Sequence, residues 1–222
     1  MPEELVVVVA GGEPDRATAY AVPTGTPVIA ADSGLERARE WGLDVTIAVG
    51  DFDSASAEAV RDAEASGTRI ERHPAEKDAT DLELALDAAL ELDPKRILVL
   101  AVAGTRLDHL FSLFQLLGAS RYAGVELDAD IGRARLHVVR GERALSGQPG
   151  ELLSLFALHG PAEGVRTEGL AYPLDAETLE PGSTRGVSNV FSADTARIRV
   201  EHGVLLAVRP GGREEREKGG AL

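Results

Sequence analysis

The sequence has no cysteine. Disulfide bridges and zinc–thiolate centres are excluded, and a reducing, cytoplasmic setting is the expectation that fits. Aromatic residues are scarce, only 4% of the chain, with a single Trp. No stretch approaches the ~18 consecutive apolar residues of a membrane-spanning helix. The opening MPEELVVVVAGG does not have the form of a secretory signal: its apolar run is short, and Glu3 and Glu4 stand where positive charge is expected. Basic charge is in deficit, 23 Lys and Arg against 37 Asp and Glu, for a net charge of −14. That balance argues against nucleic-acid or anionic-membrane binding, which needs a basic face. It leaves room for a phosphorylated ligand, because a divalent ion and a few local cations reverse the sign within one cleft. No GxxxxGK[ST] loop and no GxGxxG fingerprint is present, and Gly11-Gly12 is only a weak nucleotide signal.

What is present falls into two patterns. Over the first 120 or so residues, short Val- and Ile-rich runs at 5–10, 27–31, 45–49, 68–72 and 96–102 alternate with helical spacing. Leu82, Ala85, Leu86, Ala89 and Leu90 form one apolar stripe; Leu107, Leu110, Phe111, Phe114 and Leu117 form another. Glu36, Arg37, Arg39 and Glu40 read as a solvated helix face. Strands apolar on both faces, alternating with helices, predict an open, mostly parallel α/β sheet. Beyond about Gly124 helical periodicity stops. Short strands are expected at 126–131, 135–139, 152–158, 166–168, 187–191, 196–200 and 204–208, with GER, SGQPG, HGPAEG, EPGSTRG and EHG as turns. The expectation is an α/β domain over 1–124, an all-β sandwich over 125–209 and a disordered, charged tail over 210–222.

Polar clusters follow the strands of the first half. They are Ala30-Ala31-Asp32-Ser33-Gly34, Gly50-Asp51-Phe52-Asp53-Ser54, Lys77-Asp78-Ala79-Thr80-Asp81 and Gly104-Thr105-Arg106-Leu107-Asp108-His109. In an open α/β sheet such loops gather along the carboxyl rim, where ligands bind. Asp51 and Asp53, two apart on an extended chain, point the same way and suit one Mg²⁺. Lys77 and Arg106 offset charge on phosphate oxygens. This donor set fits phosphoryl or pyrophosphoryl transfer. Bland roles fit some members singly: Thr80-Asp81-Leu82-Glu83 has the form of a capping box, Asp32 and Asp108 fit helix starts, and His109 fits a surface position. Capping does not call for acids on successive loops of one rim, nor for the Asp51–Asp53 pair.

Taken together, GDFDS at 50–54, KDATD at 77–81, RLDH at 106–109 and Ser188-Asn189 resemble the thiamine pyrophosphokinase family. Ser33 and Thr105 stand where that pattern has glycine. The resemblance implies transfer of the pyrophosphoryl group of ATP to the hydroxyl of thiamine, giving thiamine diphosphate and AMP. It implies Mg²⁺ on Asp51, Asp53 and Asp81, and ATP positioned by Lys77, Arg106 and Asp108 with Asp32 nearby. Asp78, Thr80 and His109 are carried over with their motifs as substrate-binding positions, and Ser188 and Asn189 as thiamine contacts. Phe191 is the second-half aromatic available to stack on thiamine. A homodimer with sites at the subunit interface is also implied. Two other classes fit parts of the pattern: a haloacid-dehalogenase-like phosphatase, from an apolar strand followed by DxD, and a non-catalytic thiamine- or nucleotide-binding module.

Overall fold

The computed structural model describes residues 4–11, 22–101 and 106–211. Gly12, Gly104, Thr105 and nearly all of the expected tail lie outside the described residues. Two compact units are present. The first takes the described residues up to Leu116 together with Gly124–Gly132; the second takes Leu117–Ala123 and the described residues from Arg133 on.

The first unit carries strands β1 (Leu5–Val9), β2 (Val28–Ala31), β3 (Ile47–Gly50), β4 (Arg69–Arg72), β5 (Arg96–Ala101) and β6 (Glu126–Ile131). They run parallel in the order β4-β3-β2-β1-β5-β6. Val6, Val8, Ile29 and Val49 are wholly buried, as are Val7, Val9, Ala30 and Ala48 between them, so both faces of the central strands are covered. Helices α1 (Gly34–Glu40), α2 (Ala57–Ala65) and α3 (Asp81–Leu90) follow β2, β3 and β4. The α3 helix packs on β1, β2 and β3, burying Ala85, Leu86 and Ala89 as their spacing predicts. Strand order reverses at β1, which has β2 on one side and β5 on the other.

The sequence boundary at 124/125 falls before β6. That strand pairs in parallel with β5 over its whole length and groups with the first unit, because parallel register with an inner strand fixes it there. Helix α4 (Leu107–Gly118) forms as expected. Its burial differs from the expected stripe: Leu113, Leu116 and Leu117 are buried, whereas Leu107 and Phe111 are 74% and 63% exposed. Arg37 is not on a solvated face; it is buried at 7% and pairs with Glu40.

The second unit is all-β. It contains β7 (Ala134–Val139), β8 (Glu142–Ser146), β9 (Leu152–Glu168), β10 (Glu177–Leu179), β11 (Asn189–Val190), β12 (Thr195–Arg199) and β13 (His202–Arg209). Strand β9 is one 17-residue element where the sequence predicted two strands and a HGPAEG turn. Its first part pairs with β13 and its last with β12, so one strand serves two antiparallel sheets. His159 (φ 62°) and Gly164 (φ 63°) bend it between those pairings. Thus the turn-forming residues produce a corner, not a chain reversal. Neither β8, which begins at Glu142 inside the expected GER turn, nor β10 is among the expected strands. Leu145, Leu153, Leu155, Val165, Phe191, Ile198 and Leu205 share the core of this unit.

Gly34 opens α1 against the end of β1: a Cβ there would stand 2.2 Å from the Val9 carbonyl oxygen. Backbone cannot yield as a side-chain tip can. Gly34→Ala is expected to destabilise the protein by ~2 kcal/mol or more, read as a Tm about 4 °C or more lower at this chain length.

Candidate active site

The end of β2 delivers Asp32 and the end of β3 delivers Asp51 and Asp53. Asp32 adopts φ 46°, a left-handed conformation that Asp tolerates better than most residues. Its N–H donates to the Val49 carbonyl at 2.9 Å, which ties the two strand ends together. Gly50 permits this approach, since a Cβ at that position would come within 3.3 Å of the Asp32 backbone. As a result Asp32, Asp51 and Asp53 each place one carboxylate oxygen within 4.8 Å of the others.

Asp51 and Asp53 converge, but not along an extended chain. Phe52 between them has φ 60°, and the Asp53 N–H donates to Asp51 Oδ1 at 3.2 Å. The turn folds one carboxylate back over the next backbone amide. A positive φ at a bulky residue costs roughly 1–2 kcal/mol. The Phe52 ring is held by burial among Leu35, Ala48, Ala59 and Val60. From outside, the Arg72 guanidinium lies 5.2 Å from the ring centroid.

Lys77 joins this group to the start of α3. Its Nζ donates to Asp51 Oδ2 at 2.9 Å and stands 3.1 Å from Asp81 Oδ1. All three side chains are largely buried. The Lys77 hydrogen bond holds the Asp51 carboxyl below the usual carboxylate range. Burial works against the Lys77 charge, yet its contacts with Asp51 and Asp81 leave its pKa raised. Asp81 is therefore linked to Asp51 through an ammonium and lies outside the three-carboxylate group. Thr80 caps α3, its Oγ1 accepting from the Glu83 N–H at 3.2 Å, as the capping-box reading expects. Asp78 is exposed beside it.

Arg106 and Asp108 form a forked pair at the start of α4, Nε to Oδ1 at 3.0 Å and a terminal nitrogen to Oδ2 at 2.6 Å. The Arg106 hydrogen bonds hold Asp108 far below the usual carboxylate range. Both side chains are about two-thirds exposed, and His109 is exposed too.

Ser188 and Asn189 belong to the second unit. Ser188 is exposed at φ 60°, its N–H donating to Ser154 Oγ at 3.0 Å. Asn189 is 5% exposed. Its Oδ1 accepts from the Tyr172 and Val190 N–H groups at 3.0 and 2.9 Å, and its Nδ2 donates to the Tyr172 carbonyl at 2.7 Å. It therefore clamps the Tyr172 backbone, and Tyr172 is 62% exposed. Phe191 cannot offer a stacking face as it stands: it is 1% exposed within the core. Sequence reasoning missed Tyr172 as the accessible aromatic beside Asn189; the preceding Gly-Leu-Ala run gave no periodic signal for it.

The carboxylates suit a hard divalent cation. Asp32 Oδ1 is buried and accepts no hydrogen bond, which leaves its lone pairs free for a ligand, whereas Asp81 Oδ1 has the Lys77 ammonium 3.1 Å away. Oxygen-only donors of this type are those Mg²⁺ takes, with phosphate oxygens completing its shell.

Acids and a lysine on the carboxyl rim of a parallel sheet fit an enzyme of phosphoryl-type chemistry. Comparison with known proteins gives the narrower class. Residues 23–127 match the thiamin pyrophosphokinase catalytic domain, and 135–205 match the thiamin pyrophosphokinase vitamin B1 binding domain. The thiamine pyrophosphokinase of Bacillus subtilis strain 168 is 31% identical over 191 residues, 82% of this chain and 86% of that protein. A crystal structure of thiamine pyrophosphokinase from Bacillus subtilis aligns with a TM-score of 0.81 at 25% identity, covering 94% of this chain and all of the other. A thiamin pyrophosphokinase family protein from Enterococcus faecalis aligns equally well, TM-score 0.81 at 26% identity, over 95% of this chain and all of its own. The chain belongs to the thiamin pyrophosphokinase family.

Burial pushes the Asp32 carboxyl up from 3.8, opposed by the Ser33 N–H and reinforced by the Asp81 charge. A carboxyl with a folded pKa above its unfolded value favours the fold while protonated and loses that contribution as pH rises through the folded value. At pH 7 the Asp32 charge therefore opposes folding, and Asn also suits its positive φ. Asp32→Asn is expected to raise the metal-free Tm at pH 7. The gain should vanish in melts below pH 3.8. An unchanged or lower Tm at pH 7 would show that the Asp32 charge is compensated within the fold.

Proposed function

We propose that this chain transfers the pyrophosphoryl group of ATP to the hydroxyl of thiamine, releasing AMP. One observation carries the reading: Lys77 lies between Asp51 and Asp81, beside the Asp32–Asp51–Asp53 group, within the stretch that matches the family's catalytic domain. The thiamine oxygen attacks the β-phosphorus, a new P–O bond forms, the bond from the β-phosphorus to the α–β bridging oxygen breaks so that this oxygen leaves on AMP, and the hydroxyl proton passes to solvent. Phosphoryl-type transfer asks mainly for positioning and charge neutralisation.

Asp51 and Asp53 hold Mg²⁺, with Asp32 and Asp81 flanking as further oxygen donors. When bound, the ion neutralises charge on the polyphosphate. Lys77, kept protonated by its carboxylates, presents its remaining N–H to a phosphate oxygen. Arg106, oriented by the Asp108 fork, lies on the same rim to hold the nucleotide, with Asp78, Thr80 and His109 lining its approach. In the second unit Ser188 offers its hydroxyl to thiamine, while Asn189 sets the Tyr172 segment. The 1–124 stretch plus β6 serves ATP and Mg²⁺, and the all-β unit serves thiamine.

A homodimer with sites at the subunit interface belongs to this reading. Leu107 and Phe111, one turn apart on α4, expose an apolar pair that a second subunit would cover. A cytoplasmic setting fits the absence of cysteine, and no helix among the described residues is long and apolar enough to cross a membrane. Membership of the family does not favour the phosphatase or the non-catalytic alternative.

The test is incubation with ATP, Mg²⁺ and thiamine, measuring AMP and thiamine diphosphate in equal amounts. Asp51→Asn should lower kcat by 100-fold or more with the fold intact by circular dichroism; near-normal turnover would overturn the metal assignment. Mixing Asp51→Asn chains with Asn189→Ala chains that melt as folded protein should restore part of the lost activity. No rescue in demonstrated mixed dimers would rule out a site shared between subunits.

A further inference from the structure

The cations that the sequence assigns to phosphate are already engaged. Lys77 is held by Asp51 and Asp81, and Arg106 is forked onto Asp108. Four carboxylates, those of Asp32, Asp51, Asp53 and Asp81, face one ammonium on this rim. A polyanionic nucleotide approaching such a surface needs a donor with no carboxylate of its own. Arg72 meets that condition. It is the last residue of β4, in register with Gly50 at the end of β3, one residue before Asp51. Its guanidinium lies over the Phe52 ring, 5.2 Å from the centroid, and Phe52 is the residue between Asp51 and Asp53. Among the described residues no carboxylate pairs with it, and it is exposed.

We propose that Arg72 is a further substrate-binding residue, taking an anionic phosphate oxygen of the ATP that the acid group binds with Mg²⁺. This rests on the functional reading above. Stacking on the ring face keeps the planar fork in place, so little side-chain freedom is lost when the phosphate arrives. The contact is charge-assisted and directional, which a Lys would only partly reproduce. Phe52 then has two tasks: its backbone turn brings Asp51 and Asp53 together, and its ring carries the Arg72 guanidinium. Nothing in the motif pattern marks Arg72, since it lies on the strand itself, five residues before Lys77.

The test compares wild type with Arg72→Met, Arg72→Lys and Phe52→Leu, each checked for an unchanged melting profile. Arg72→Met is expected to raise the KM for ATP about tenfold to a hundredfold, the range for a lost hydrogen bond between charged groups, with the KM for thiamine unchanged. Arg72→Lys should recover part of that loss. Phe52→Leu should give a smaller rise in the same constant. Direct binding of a fluorescent ATP analogue with Mg²⁺ should weaken in the same order. Unchanged ATP affinity in Arg72→Met, or equal losses for ATP and thiamine, would overturn the assignment. A wild-type chain that binds MgATP but makes no thiamine diphosphate would overturn the functional reading alone, and the analogue affinities would still decide on Arg72. A wild-type chain that binds no nucleotide would overturn both.

Discussion

The contact between the Lys77 ammonium and the carboxylates of Asp51 and Asp81 is the constraint on which the acidic rim depends. Without it, like charges from the β3 end and the α3 start would repel across a partly buried surface, where water screens them poorly. With it, two loops separated by some thirty residues share one cation. The sheet makes this possible. Parallel strands buried on both faces place every carboxyl end on one edge, and the reversal of strand order at β1 opens that edge to a ligand.

The arrangement gives up stability in return for a site. Asp32 keeps a charged carboxylate partly buried with one oxygen unpaired, at a positive φ. Phe52 also takes a left-handed turn. Ligand-free, these features oppose folding; once a cation and phosphates arrive, the same oxygens become ligands. Strained backbone next to an acid pair is the pattern expected where binding, not packing, has shaped a segment. Asn189 shows the opposite economy in the second unit: its amide is spent on the Tyr172 backbone, so its part in any thiamine site is to fix a neighbour.

Much of this was legible in the sequence, for identifiable reasons. Apolar runs such as Leu5–Val9 read as buried parallel strands because nothing polar interrupts them, and Thr80 to Glu83 read as a helix start because capping is local chemistry. Where the reading failed, the deciding contacts were distant. The Gly and Pro of 159–164 signal a reversal, but pairing of β9 with both β13 and β12 turns them into a bend. By composition β6 belongs with the all-β half, but its parallel register with β5 puts it in the first unit. The Asp51–Asp53 convergence was anticipated and its cause was not, because a positive φ at Phe52 leaves no mark in residue type. Arg72 reaches the Asp51–Asp53 turn only through the register of β4 with β3.

The measurement that bears most directly on the acidic rim is a crystal structure with Mg²⁺ and a nonhydrolysable ATP analogue. An ion bonded to Asp51 and Asp53 oxygens at about 2.0–2.1 Å, with the polyphosphate lying between it and Lys77, is the expected result. Polyphosphate bound away from the ends of β2, β3 and β4, or an ion that leaves Asp51 and Asp53 untouched, would contradict it.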